Sequence, residues 1–300
     1  KTQCYDETRV THLSSLYGKK ICIDVSIYLY RYKSQNTLIE SFYLMCSLFK
    51  HYNITPIFIF DGKPPESKRE ELEKRRQNRL DCEEKYNKLK EQIKDTITKE
   101  QEKELLYLQR GMTKITWEDI KSVQELFDSY GIKYMTALGE ADALCASLVI
   151  KKKVYAVLTE DMDLFAYTCP IVLRYFSLAN HTCILYDLKK ILTKLDINKK
   201  NFRILCVLSG NDYYNNKNNI FHYMRLYNKY KKTKLDIDFI EWLKNINQLD
   251  TSESEEIMNV VNIYKDIKHE ISKYPYTVIR FGSVDKLSLY NILEKERFVF

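Results

Sequence analysis

The chain has 300 residues, 45% of them hydrophobic, which suffices to bury a core in one large domain or two ordinary ones. Its 48 Lys and Arg against 41 Asp and Glu give a net charge of +7, too modest to name a partner by itself. No apolar run is long enough to span a membrane, "KTQCYDETRV" lacks a signal-peptide core, no two of the eight cysteines form a Cys-x-x-Cys pair and none of the five His is paired with a Cys at ligand spacing, so a reduced intracellular protein with no zinc site is expected.

The first expected strand covers 20–23 in "KKICIDVS" and ends at Asp24; a helical pattern follows over 37–52. The second covers 56–60 in "TPIFIFDG" and ends at Asp61. Between 63 and 117 the composition turns highly charged and helix-forming, which reads as a solvated helical hairpin or a mobile insertion above a sheet. Helices are expected over 117–130 and 140–151, then strands over 154–158, just before Glu160 and Asp161, and over 171–175. These strands are continuously apolar, as in a parallel sheet covered on both faces, and their alternation with helices is the α/β pattern. After Asp212 the chain is Asn- and Tyr-rich and then helical to its end, with "TSESEE" at 251–256 expected as a loop carrying an N-cap. Residues 1–235 are expected to form the core, with the insertion at about 66–116, and 236–300 a helical extension packed on it. Because the chain does not begin with Met, a longer natural N-terminus is expected.

Asp24, Asp61 and Asp161 each fall at or just past the end of an expected strand, where open parallel sheets bind ligands. Any one of them is explained as a helix N-cap; three together are not. In "ALGEADALCASL", Glu140 and Asp142 enter a helix after Gly139. Acids there also suit the helix dipole. Two positions apart within a helix they would diverge by about 200°, but at a helix entry the first stands outside helical geometry and both reach one site. Asp163 and Asp212, the latter in "SGNDYY", complete a set of seven. Met162 and Leu164 are expected to anchor the turn beneath them.

Seven carboxylates in one pocket would force protons onto one another unless cations compensated them. An oxygen-only donor set suits Mg²⁺, with Mn²⁺ as a substitute, and two such ions about 3.5–4 Å apart are the usual arrangement for breaking a phosphodiester. Neutralising seven of the 41 acids would double the net charge of +7, a balance suited to a polyanion.

"IFIFDGKPPESKREELEKR" and "GEADALCASLVIKKKVYAVLTEDMDLF", flanked by "GKKICIDVSIYLYRY" and "LSGNDYY", resemble the four motifs of the flap endonuclease and XPG family of structure-specific 5′-nucleases, in order and spacing over roughly residues 12–214. The resemblance implies a PIN-like 5′-nuclease fold: a twisted, mainly parallel sheet flanked by helices, with a helical arch or cap insertion. It implies a metal-dependent flap endonuclease or 5′-exonuclease that hydrolyses DNA near single-strand/double-strand junctions in replication, repair or recombination. By motif position the seven acids match the family's metal-site carboxylates, and Glu160 matches an acid that is not a ligand. Where the family usually has Glu, this chain has Asp142, one methylene shorter.

Lys68 and Arg75 match a basic pair that contacts the scissile phosphate; seven residues, two helical turns, also put both on one helix face. Tyr30 matches an aromatic on which a base stacks, with core packing as its ordinary alternative. Lys63, Arg76 and Arg79 are candidates to extend the basic patch, with a solvated helix face as the equal alternative for Arg76 and Arg79. The family's Gly-rich duplex-gripping turn after the last motif is replaced by "NNKNNIFHYMRLYNKYKK", where Lys217, Lys229, Lys231 and Lys232 are the candidate phosphate contacts. A monomer is expected, in the nucleus or at a cytoplasmic or viral replication site, acting on a 5′ flap or junction, with no membrane and no sliding-clamp peptide in "LEKERFVF". Two rival readings stay open: a catalytically silent nucleic-acid-binding or scaffold relative, and the same chemistry on RNA or four-way junctions.

Overall fold

Strands β1 (Thr8–His12), β2 (Lys20–Asp24), β3 (Thr55–Phe60), β4 (Lys133–Thr136), β5 (Ala156–Leu158), β6 (Ile171–Ser177) and β7 (Thr182–Asp187) form one sheet in the order β1-β7-β6-β5-β2-β3-β4. The computed structural model describes residues 7–93, 97–216, 218–233, 235–265, 267, 270–274, 279–296 and 298. Strands β2 to β6 run parallel, whereas β7 and β1 add antiparallel at one edge.

Helices α1 (Ser26–Ser34), α2 (Leu38–His51), α3 (Arg69–Gln92), α4 (Lys99–Met112) and α5 (Trp117–Tyr130) precede β4. Helices α6 (Ala141–Ile150) and α7 (Asp163–Ala166) flank β5, and α8 (Leu188–Leu195) and α9 (Lys199–Leu208) follow β7. The remainder carries α10 (Ile220–Thr233), α11 (Phe239–Asn245), α12 (Thr251–Lys265) and α13 (Lys286–Lys295).

Successive strand residues face opposite sides of a sheet, and here both sides are apolar. Ile21, Ile23 and Phe58 join Tyr28, Phe42, Phe49 and Phe127 of α1, α2 and α5. Cys22, Ile57, Ile59 and Val157 join Leu144 and Leu148 of α6 and the aliphatic and aromatic residues of α9 to α12. Each fully buried Phe or Ile contributes about 1.5–3 kcal/mol. That two-sided cover is why these strands read as unbroken apolar runs. It also holds their C-terminal ends at one edge, because Asp24 is paired in register with Ile59, two residues before Asp61.

The charged segment is a helical hairpin. No α3 residue is buried, α4 buries Leu108, and the two helices pack on each other. Two expectations are corrected. "TSESEE" is not a loop: α12 begins at Thr251 and is capped by Asp250, whose Oδ1 accepts from Glu253 N (2.8 Å) while Glu253 Oε2 accepts from Asp250 N (2.9 Å). Met162 does not anchor its turn; it is 56% exposed beside Arg174, whereas Leu164 is buried there as expected, with Phe165 and Ala166.

Candidate functional site

Asp24 closes β2 and is buried; its Oδ2 accepts from Thr159 Oγ1 (2.9 Å) and its Oδ1 from Ser26 N (3.2 Å). Asp61 follows β3, accepts from the Ser26 hydroxyl, and takes Ala141 N on Oδ1 (2.8 Å). That last bond ties the end of β3 to the start of α6. Glu140 stands at the N-cap of α6 in extended geometry (φ −84°, ψ 142°), and Asp142 lies buried in its first turn. The helix entry therefore lets both acids face one place. Beyond β5, Asp161 Oδ1 accepts from Asp163 N (2.8 Å). Asp212 follows Gly210, whose φ of 88° turns the chain after α9.

Gly62 sets the closeness of this arrangement. Its N donates to Gly139 O (2.8 Å), and a Cβ there would lie 1.8 Å from Ala137 O. Gly62→Ala is expected to force the Asp61 and Glu140 loops apart at a cost of about 3 kcal/mol, the upper end for overpacking. A denaturant melt and a cation titration of the variant would check this.

A cleft of ≈ 320 Å³ collects Asp24, Asp61, Glu140, Asp142, Asp161 and Asp212 with Lys68, Arg75 and Tyr30. Asp163 does not line it; it stands behind Asp161 on an adjoining, largely apolar cavity of ≈ 460 Å³. Lys68, buried at the foot of α3, pairs with Glu140 and with Asp212 Oδ2 (2.9 Å), and its Nζ lies 4.8 Å from the Tyr213 ring centre. Arg75 Nη2 reaches the same Asp212 oxygen (3.0 Å), and its Nε reaches Glu71 (3.0 Å). The basic pair is thus on one face, as its spacing implied.

Burial, then repulsion from Asp61 and Asp161, pushes the Asp24 carboxyl up to about 7. Burial, Glu140 and Asp161 raise Asp142, and burial and Asp161 push Asp163 up to about 7. Asp212 is the reverse: burial opposes its charge, but bonds to Lys68 and the charge of Arg75 hold it below the usual range. Burial likewise opposes the Lys68 charge, yet Glu140 and Asp212 raise its pKa overall.

Among the described residues, no three His, Cys, Asp or Glu side chains form a ready-made cation cage; Lys68 and Arg75 occupy part of the acid oxygens. The chemistry nevertheless fits hard divalent cations. The donors are all oxygen, and two side-chain cations leave most of the buried negative charge uncompensated.

Tyr30 is exposed at the cleft rather than packed in the core. Lys63 is exposed and Arg79 half-buried, while Arg76 pairs with Glu73 (3.5 Å) in solvent. Lys229 and Lys232 are exposed on α10, away from the residues lining the cleft. Lys231 is held by Asp196 Oδ2 (3.0 Å) and Asp196 O (3.1 Å) at the end of α8. Lys217 lies outside the described residues. Glu160 stays out of the cleft: Tyr175 N donates to it (2.7 Å), and Arg31 and Arg174 flank it at 3.6 and 3.8 Å. Sequence reading missed the groups that hold the acids, namely Ser26, Thr159, Tyr213, whose hydroxyl donates to Glu140, and Tyr264, whose hydroxyl donates to Asp163 (2.5 Å). Only the adjacency of Tyr213 to Asp212 was a signal.

Residues 2–82 match the family model described as XPG N-terminal domain, and residues 131–212 match the XPG I-region. Flap endonuclease 1 of Meyerozyma guilliermondii is 33% identical over 225 residues, covering 68% of this chain and 58% of that protein. Human flap endonuclease 1 is 30% identical over 224 residues, covering 68% and 57%. The chain thus spans under three fifths of the length of these curated relatives. The catalytic core of Rad2 in complex with DNA substrate has the same fold, with a TM-score of 0.69 at 23% identity over 97% of this chain and 92% of that one.

Proposed function

The chain belongs to the flap endonuclease and XPG family, and on that premise we propose that it is a structure-specific 5′-nuclease acting on DNA flaps and single-strand/double-strand junctions. The observation that carries this reading is the single cleft at the C-terminal edge of the parallel strands, where six acids meet Lys68 and Arg75. Asp24, Asp61, Glu140, Asp142, Asp161 and Asp212, with Asp163 behind them, would hold two Mg²⁺ ions, for which Mn²⁺ can substitute. Bound there, such ions neutralise charge on the phosphate and activate the attacking water.

The chain's own groups do the rest. Lys68 and Arg75 project from the foot of α3 and exchange their carboxylate partners for the scissile phosphate, whose developing charge they stabilise. The exposed Tyr30 ring stacks on a base beside the cleavage site. The α3–α4 hairpin contacts α1, which bears Tyr30, and so borders the path of a 5′ single strand. Exposed Lys63 and Arg76 and half-buried Arg79 add phosphate contacts whose strength falls with salt. The protein acts as a monomer, and the eukaryotic flap endonucleases among its relatives support a nuclear site of action. Among the described residues no helix is long and apolar enough to cross a membrane.

The test compares cleavage of 5′-flap, gapped, nicked, four-way-junction and RNA-containing substrates at fixed salt, with Mg²⁺ and with EDTA. Mg²⁺-dependent cutting is expected to favour the 5′ flap. Binding without cutting on every substrate would overturn the proposal in favour of a silent nucleic-acid-binding module.

A further inference from the structure

The acids of the cleft are held from several directions, and one of those holds comes from far along the chain. Tyr264 lies on α12 and is wholly buried. Its hydroxyl donates to Asp163 Oδ2 (2.5 Å), 101 residues earlier in sequence, and among the described residues no other hydrogen bond to that carboxylate is formed. Its ring is fixed on two sides, edge-on to Tyr167 (4.8 Å between centroids, 71°) and to Tyr213 (5.7 Å, 85°). Tyr213 in turn donates to Glu140 and lies under Lys68. The two phenols therefore brace two of the acids, and of the two Tyr264 is the one that reaches in from the region beyond residue 236.

Resting on the nuclease reading above, we infer that Tyr264 is a positioning residue for the cation site: by holding Asp163 Oδ2 it fixes this residue behind Asp161, whose Oδ1 accepts from Asp163 N (2.8 Å), so that the C-terminal helices complete the site. A buried tyrosine needs some acceptor, and a backbone carbonyl would serve, as Ile237 O serves Tyr230 (2.8 Å). Here the acceptor is instead a candidate cation ligand, whose own backbone N donates to Asp161 Oδ1 (2.8 Å). Groups that orient a ligand in this way typically change metal affinity by about 10- to 100-fold when removed.

Tyr264→Phe keeps the ring and removes the hydroxyl alone; Tyr230→Phe makes the same change where the acceptor is a carbonyl. Mn²⁺ binding to each folded variant is measured by calorimetry, and flap cleavage is followed as a function of cation concentration. Tyr264→Phe is expected to weaken Mn²⁺ binding about 10- to 100-fold. It should shift the half-maximal cation concentration in parallel and recover most of its maximal rate at saturation, whereas Tyr230→Phe changes neither. In an Asp163→Asn background the Tyr264→Phe change should have no further effect. Wild-type-like Mn²⁺ affinity in Tyr264→Phe, an equal loss in Tyr230→Phe, or a full additional loss in the Asp163→Asn background would overturn the inference. A wild-type chain that bound no Mn²⁺ and cut no flap would overturn the nuclease reading, and the inference with it.

Discussion

Asp142→Asn is expected to make the cation-free protein more stable while removing its ability to cut. Asp142 is buried in the first turn of α6, where its Oδ1 accepts Ala143 N (2.7 Å), and burial, Glu140 and Asp161 all oppose its charge. Asparagine keeps the carbonyl acceptor and the shape but removes the repelled charge. A gain of about 1 kcal/mol, or roughly 2–4 °C in melting temperature, is the modest expectation for a domain of this size. Cleavage should fall by at least about 10²-fold, because cation charge stabilisation is worth several kcal/mol. Thermal melts and flap assays on one preparation read both effects, and a variant that was less stable yet active would contradict the account.

The same cluster sets a pH dependence. Asp24 and Asp163 are pushed up to about 7 in the fold, against about 3.9 for an unfolded Asp. Between those values the folded chain holds protons that the unfolded chain has released, so stability falls as pH rises from about 4 to about 7 and levels off above. Asp142→Asn removes one contributor and should flatten that decline. In the proposed site Mg²⁺ would bind the charged carboxylates, so its stabilisation of the wild type should be greatest at and above about pH 7, reaching about 2.7 kcal/mol at a hundredfold excess over Kd.

What the sequence revealed and what it hid divide along a physical line. The strands at 20–23, 56–60 and 171–175 were legible because helices cover both their faces, which leaves unbroken apolar runs. Strand β1, "TRVTH", lies at one edge with a mostly exposed pattern, and β4, "KYMT", lies at the other, so neither carried enough apolar signal. Strand β5 is shorter than its apolar run because Val154 N bonds back to Leu148 O rather than joining the ladder. Within the site, acids at strand ends and at a helix entry could be placed from local pattern alone. The hydroxyls that hold them could not. Thr159 meets Asp24 across 135 positions and Tyr264 meets Asp163 across 101, and nothing local to either residue distinguishes a tyrosine bonded to a carboxylate from Tyr230, bonded to a carbonyl. Lys231 makes the converse point: a lysine in a basic run reads as a phosphate contact, whereas the fold gives it to the end of α8.

The second large effect is expected at Lys68, and it separates the two cations of the cleft. Lys68 is only 6% exposed and divides its charge between Glu140 and Asp212. Fully uncovering a buried ion-pair partner costs about 3–5 kcal/mol. Asp212 keeps Arg75 and is 26% exposed, so Lys68→Ala should cost less, about 2–3 kcal/mol in the cation-free protein. Arg75 is 52% exposed and shares itself with Glu71; Arg75→Ala should cost under about 1 kcal/mol, as exposed pairs do. Catalysis should rank the two less steeply, since in the proposed mechanism each supplies a donor to the phosphate: about 10²–10³-fold lost for Lys68→Ala and a comparable or smaller loss for Arg75→Ala. The decisive reading is the response to Mg²⁺. Divalent cations compensate the same acids that Lys68 does, so saturating Mg²⁺ should restore most of the stability of Lys68→Ala without restoring its rate. Stability and rate recovering together would mean that Lys68 serves the fold alone and that the phosphate is met by other groups.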